Sequence, residues 1–226
     1  MPSTDSTLFE TIRSRLYTAV IGDVMDTIGL IRQFLPPEIR SLNPDHVIVG
    51  RAMTVLEADA AGDYVAQSRA TESFGLMFKA LDSMQPDEIY ICTGSSPRYA
   101  LWGELMATRA RSLGGVGAVL DGFHRDTRGL LSLGFPVFSR GAYAQDQRVR
   151  GRVIDFRCPI EFPNGVRVND GDVIVGDIDG VLVIPADRLQ EVVDLALAKV
   201  DGENKVRGMI EAGESTQDVF TKTGIM

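Results

Sequence analysis

Two short stretches of the sequence carry residue types that serve one kind of chemistry. Gly103-Glu104-Leu105-Met106 follows Trp102 and opens a run that favours helix. The first amides of a helix have no partner inside it, and with the helix dipole they form an anion site. Gly103 lets a ligand approach the backbone closely. Asp121-Gly122-Phe123-His124-Arg125-Asp126 follows the apolar run Ala118-Val119-Leu120. Polar residues just past the end of a buried strand face the crevice where α/β sheets bind ligands. Arg125 offers a planar fork to a carboxylate or an enolate oxygen, and Asp126 is a hard oxygen donor suited to Mg2+ or Mn2+. An anion cradle, a fixed cation and a hard-metal ligand are the parts that hold a 2-oxo acid on a divalent ion. They point to a metal-dependent lyase working through a pyruvate enolate. Each stretch also has a plainer reading by itself: a glycine at a helix start, and a surface Arg-Asp pair worth ~0–1 kcal/mol.

The elements that must position these residues follow from periodicity and turn chemistry. Ser6-Thr7 reads as a cap before a helix carrying Leu8, Ile12 and Leu16, and a second helix runs from about Thr18 to Ile28, stopping at Gly29. Strands are expected at Val47 to Leu56, with Gly50 as a bulge or turn, at Ile89 to Cys92, at Ala118 to Leu120 and at Phe135 to Ser139. Helices are expected over 63–84, from Trp102 or Gly103 to Leu113, and from Arg125 to Leu133. Beyond that the pattern turns β-rich, with short strands at Arg152 to Cys158, Val166 to Val168, Asp172 to Asp177 and Val181 to Ile184 between Asn-Gly and Asp-Gly turns. A long helix from Ala186 to Ala212 ends at Gly213, leaving a mixed tail from Ser215. Alternating strands and helices over 86–138 imply a partly parallel sheet with right-handed crossovers. The expected architecture is a single α+β domain over residues 1–226, with a layered mixed sheet, N-terminal helices over 1–30 and a C-terminal helix and tail over 186–226.

Composition excludes several classes. With 226 residues and 44% hydrophobic content the chain buries a real core, and a formal net charge of −8 argues against a nucleic-acid binder. The N-terminus lacks a basic region followed by an apolar run, and no apolar stretch approaches ~20 residues, so neither export nor membrane insertion is expected and the location reads as cytoplasmic. Cys92 and Cys158, far apart and in apolar runs, read as buried thiols in a reducing compartment. His46 reads as a surface residue; His124 is either an acid or base near the substrate or a structural residue. Two separated histidines do not make a zinc site. Asp23 and Asp26 share a helix face and suit ion pairs or loop caps better than metal binding. Leu113-Gly114-Gly115-Val116-Gly117 follows a helix and precedes a strand, the wrong order for a dinucleotide loop.

Taken together, an acidic Glu104, twenty intervening residues and Arg125-Asp126 resemble the signature of the family of the regulator of ribonuclease activity A (RraA) and the class II 4-hydroxy-4-methyl-2-oxoglutarate aldolases. The resemblance extends to Gly22-Asp23-Val24-Met25-Asp26, Gly114-Gly115-Val116-Gly117, Phe135-Pro136-Val137-Phe138, the run from Gly171 to Val181 and Ala212-Gly213-Glu214-Ser215-Thr216. It implies a swivelling β/β/α fold, a homotrimer or a hexamer, and an active site between neighbouring subunits. By that analogy the amides of Gly103, Glu104, Leu105 and Met106 hold the substrate carboxylate, Arg125 contacts its carbonyl oxygen and Asp126 binds the metal. Glu104, where the aldolases carry Asp, would reach the metal through water, and Glu203 from a neighbour's C-terminal helix would complete the shell. The sequence departs from the family at Gly129, where the aldolases often carry an acidic residue, at His124, where many relatives have an apolar residue, and at Pro86-Asp87, which replaces Gly-Asp.

The chemistry implied is cleavage of a 4-hydroxy-4-methyl-2-oxoglutarate-type aldol, decarboxylation of oxaloacetate, or both, with Mg2+ or Mn2+ as Lewis acid. The base for aldol cleavage is a metal-bound water held by Glu104 or Glu203, Glu203 itself, or His124. Two alternatives stand beside this: a non-catalytic, protein-binding regulator of the ribonuclease-inhibitor type, and a lyase acting on another hydroxylated oxo acid or sugar acid.

Overall fold

The computed structural model describes residues 4–61 and 73–225. Its spine is β2 (Ile48–Asp59), whose β-branched and apolar residues are buried along most of its length. After β1 (Arg40–Ser41) and β2 come β3 (Glu88–Thr93), β4 (Ala100–Trp102), β5 (Gly117–Leu120), β6 (Phe123–His124) and β7 (Val137–Ser139). The second half adds β8 (Gly151–Phe156), β9 (Ile160–Glu161), β10 (Arg167–Val168), β11 (Val173–Asp177) and β12 (Gly180–Ile184). The main sheet runs β1-β7-β5-β3-β2-β11-β12, with β8 also on β2. The pairs β2–β3, β3–β5 and β5–β7 are parallel; β11 pairs antiparallel with both β2 and β12. Arg40 on one edge strand donates to the Asp179 carbonyl beside the other edge, so the sheet nearly closes on itself. This is the expected mixed sheet flanked by helices.

Three apolar layers hold it. Ile48, Ile89, Val119, Phe138, Ile174 and Val183 fill the concave inside. Helices α1 (Thr4–Arg15), α2 (Thr18–Thr27) and α6 (Leu189–Glu211) pack Ile12, Met25, Val192 and Ala196 against Val49, Val175 and Leu182. On the other side lie α3 (Met77–Asp82), α4 (Glu104–Ser112) and α5 (Thr127–Leu133). There Ala107 and Ala110 let α4 settle onto Tyr90, Cys92 and Leu120. Each fully buried aliphatic or aromatic side chain in these layers contributes about 1.5–3 kcal/mol. Among the described residues no helix is long and apolar enough to cross a membrane.

Several expected boundaries shift, each for a physical reason. The irregularity in β2 falls between Leu56 and Glu57 rather than at Gly50. Gly50 is needed for close approach instead, because a Cβ there would stand 2.5 Å from the Asp87 carbonyl. Trp102 ends a strand and does not open the helix; β4 pairs with β6, and both are too short to leave a periodic signal. The helix expected from Arg125 begins at Thr127, because Asp126 is left-handed at φ 58° and cannot continue a helix backwards. The helix expected over 63–84 falls partly on residues 62–72, outside the described residues; α3 is its described part. Ala186–Arg188 is a 3-10 turn ahead of α6. The tail forms α7 (Thr216–Thr223), capped by the Ser215 hydroxyl accepting from the Asp218 amide. Both cysteines are free, but Cys158 lies past the end of β8 and is half-buried, unlike Cys92.

Candidate active site

The β4–β6 pairing brings the two chemical stretches together. The Arg125 amide donates to the Trp102 carbonyl at 2.8 Å, so the residue after each strand ends up beside the other strand's continuation. Gly103 is the N-cap of α4, in extended conformation, and has no side chain with which to cap it. Asp126 takes that role from across the gap, its Oδ2 accepting from the Glu104 amide at 3.3 Å. A Cβ on Gly103 would meet the same oxygen at 2.6 Å, so this approach requires glycine. The first amide of α4 to reach back into its own helix is that of Ala107, to Gly103. The amides of Leu105 and Met106 therefore have no partner within the helix.

Gly103, Leu105, Met106, Arg125 and Asp126 line one cavity of about 240 Å3. Arg125 leans on Asp146, Nη1 to Oδ1 at 3.2 Å, and lies 3.9 Å from Asp126 through Nε. Its side chain is 38% exposed and that of Asp126 50%. Asp126 holds a left-handed backbone that costs a non-glycine residue on the order of 1–2 kcal/mol, and strain of this kind collects at functional sites.

The remaining expected residues lie elsewhere. The Glu104 carboxylate turns back along α4 and accepts from the Thr108 hydroxyl at 2.9 Å. Its stem fills the space beside Gly129, where a Cβ would come within 2.6 Å of Glu104 Cγ. Gly129 and the longer Glu104 thus fit one another, and an acidic side chain at 129 would displace Glu104. Glu203 accepts from the Tyr17 hydroxyl, and this bond, before any other cause, lifts the Tyr17 pKa to about 12. Within one chain Glu203 does not line the Arg125 cavity. His124 is buried, with Nδ1 2.7 Å from the Ser139 hydroxyl, and desolvation lowers its pKa. It lies outside the cavity and reads as structural. His46 is half-buried rather than a surface residue. Asp23 pairs with Lys199 at 2.6 Å.

Three residues beside the site carry no sequence signal of their own. Asp146 and Gln147 come from residues 140–150, a stretch without periodicity between β7 and β8; its length and polarity are the one available hint. Gln147 lines the cavity and donates to Glu57 Oε2 at 2.6 Å. Glu57 is fully buried, and desolvation, opposed by that bond, raises its pKa to about 8.

The chain has relatives among known proteins. The family model of RraA-like proteins, described as Aldolase/RraA, matches residues 18–183. A Halalkalibacterium halodurans protein, provisionally named a 4-hydroxy-4-methyl-2-oxoglutarate aldolase, is 34% identical over 195 residues, 85% of this chain and 84% of that protein. Protein DlpA of Legionella pneumophila is 29% identical over 88% of this chain, which spans 31% of that longer protein. Streptomyces coelicolor RraAS2, an unusual member of the RNase ES inhibitor RraA protein family, shares the fold. Its TM-score is 0.77 at 22% identity, over 92% of this chain and 98% of that one.

Proposed function

Because this chain belongs to the RraA-like family of aldolases and RraA proteins, we propose that it is a divalent-metal-dependent lyase that cleaves a 2-oxo acid through a pyruvate enolate. The observation that carries the reading is the placement of Asp126: strained, half-exposed, set on the amide of Glu104 and beside Arg125 at the wall of one cavity.

The donor set fits a hard cation. Among the described residues no three His, Cys, Asp or Glu groups gather into a metal cage. Mg2+ needs none, since it is commonly held through one or two carboxylates, waters and substrate oxygens. Asp126 would hold Mg2+ or Mn2+, which when bound supplies a Lewis acid for the keto oxygen. The free amides of Leu105 and Met106, at the positive end of α4, bind the substrate carboxylate. Arg125, steadied by Asp146, presents its remaining donors to the oxygen on which enolate charge develops. In aldol cleavage the C3–C4 bond breaks, its electron pair passes to C3, and the C4 hydroxyl loses its proton as the new carbonyl forms. In oxaloacetate decarboxylation the departing group is CO2 and no hydroxyl proton moves.

A homotrimer or hexamer belongs to the same proposal, with Glu203 of a neighbouring copy approaching the cavity; light scattering measures the assembly. The activity test is pyruvate release from oxaloacetate and from 4-hydroxy-4-methyl-2-oxoglutarate with added Mg2+ or Mn2+. Turnover that EDTA abolishes is the expected result. Turnover untouched by EDTA defeats the metal dependence, and no turnover with either metal defeats the lyase reading and returns the regulator as the better account.

A further inference from the structure

Glu57 is a group that a core does not keep cheaply. It is 1% exposed, on β2, with Tyr90 and Cys92 of β3 and Tyr99 close enough to feel its charge. Burial raises its carboxyl from 4.5 to about 8, against the opposing effect of its bond from Gln147. Methionine or leucine would fill the same space with no polar group to desolvate. What the carboxyl does hold is the Gln147 side chain, whose Nε2 donates to Glu57 Oε2 at 2.6 Å.

Gln147 is fixed at both ends. Its backbone carbonyl accepts from the amides of Arg150 and Gly151 at 2.8 and 3.0 Å, and the residue before it, Asp146, bridges to Ala100 and holds Arg125. Gln147 lines the same cavity as Arg125 and Asp126. A side-chain amide has a donor end and an acceptor end. With the donor end turned down to Glu57, the acceptor end, Oε1, is the one left for the cavity. Gln147 is 3% exposed, so this pairing is internal to one chain and does not depend on what covers the cavity from outside.

On the reading of this site as a 2-oxo-acid lyase, we propose that Gln147 Oε1 accepts a hydrogen bond from the C4 hydroxyl of the substrate, and that Glu57 is the positioning residue that holds the amide in that orientation. The pair selects 4-hydroxy-2-oxo acids over oxo acids without the hydroxyl, such as oxaloacetate, which leave the buried acceptor unpaired. The neutral amide fixes the direction of the O–H bond and takes no proton. As C3–C4 breaks, its electron pair stays on C3, the hydroxyl proton passes to water and C4 becomes a carbonyl carbon. The enolate then takes a proton at C3 to become pyruvate.

The test is a ratio that a merely structural role would not move. Pyruvate release by the full-length protein with Mg2+ is measured on 4-hydroxy-4-methyl-2-oxoglutarate, on 4-hydroxy-2-oxopentanoate and on oxaloacetate. The quantity compared is kcat/KM on the better hydroxy acid divided by that on oxaloacetate. Gln147→Met, similar in shape but without either polar end, should lower this ratio at least tenfold. Glu57→Met keeps Gln147 but releases its amide, and should lower the ratio at least threefold. Glu57→Gln still offers Nε2 an acceptor and should restore most of the ratio. Thermal melting checks that each variant folds, and Gln147→Met decides alone if Glu57→Met does not. A ratio unchanged in Gln147→Met, or equal losses on both kinds of substrate, overturns the proposal. A ratio in Glu57→Gln as low as in Glu57→Met overturns the role of Glu57. If the wild type decarboxylates oxaloacetate in an EDTA-sensitive way but cleaves neither hydroxy acid, the proposal falls and the lyase reading stands. If it turns over none of the three, both fall.

Discussion

Two arginines in this molecule have similar settings and opposite circumstances. Arg157 and Asp126, the neighbour of Arg125, are both left-handed non-glycine residues, at φ 54° and 58°. Both guanidinium groups lie near two carboxylates. Arg157 has both terminal nitrogens fully engaged: Nη1 and Nη2 each meet Glu88 at 2.9 Å, Nη2 also donates to the Ser83 carbonyl and Nη1 to Asp170. Its pKa is raised, chiefly by the bond to Glu88. Arg125 has one carboxylate at 3.2 Å, another at 3.9 Å, and a cavity. A guanidinium whose terminal donors are all engaged ties elements together; one held by a single close partner beside open space has donors left for a ligand. The contrast teaches that residue type and local strain do not separate a structural arginine from a candidate ligand-binding one, whereas unspent hydrogen-bonding capacity does.

The sharpest way to break the comparison is at the carboxylates and cations of the open site. Asp126→Ala should abolish metal-dependent pyruvate release, a loss of ~10³ or more, and should lower the Tm by only a few degrees, since the half-exposed carboxylate gives up one long contact to the Glu104 amide and alanine keeps the left-handed backbone at a modest cost. Normal turnover in this variant would remove Asp126 from the site. Arg125→Ala should lower kcat/KM by ~10²–10³, the usual cost of losing a preorganised charge stabiliser, again with little change in Tm. Arg157→Ala should do the reverse. Losing one partner of a half-buried charged network costs about 2 kcal/mol, or roughly 4–8 °C in Tm for a chain of this size. Activity per folded molecule should stay within about twofold. Matching effects of the two arginine variants on Tm and on kcat/KM would erase the distinction.

The sequence makes the open site more legible than the closed one, and the reason is local chemistry. Gly103 ahead of a helix and Arg125-Asp126 behind a buried strand are readable because each stands out against its immediate neighbours, and the structure brings them to one cavity. Asp146 is not readable, because its place depends on residues 140–150 running beside β4, a long-range pairing without periodicity. The strands β4 and β6 escape for the same reason: at three and two residues they exist only as each other's partner. Glu57 escapes because the strand expected at Val47 to Leu56 stops one residue short of it, whereas β2 runs on to Asp59, and the register shift between Leu56 and Glu57 accompanies a carboxylate buried in the core, the kind of local re-aiming that bulges produce. The Glu88–Arg157–Asp170 network joins three distant segments and leaves no motif at all.

The smallest effect separates the floor of the open site from both arginines. Glu57 lies beneath Gln147, which shares the cavity wall with Arg125, and burial lifts its carboxyl from 4.5 to about 8. Above about pH 4.5 the unfolded chain gives up this proton while the folded chain keeps it, so the folded state binds more protons. Stability is therefore greatest below that pH, falls as pH rises toward 8, and levels off once the folded carboxyl also ionises. Glu57→Gln keeps the shape and the acceptor for Gln147 but cannot ionise, so it should flatten the decline in Tm between pH 5 and 8 by the share that Glu57 contributes. Its oxo-acid turnover at pH 6 should stay within a few-fold of wild type, since the wild-type carboxyl is neutral there as well. A variant with the wild-type pH slope would show that Glu57 is already ionised inside the fold. The floor would then be charged, and its single bond from Gln147 would be a charge-assisted one.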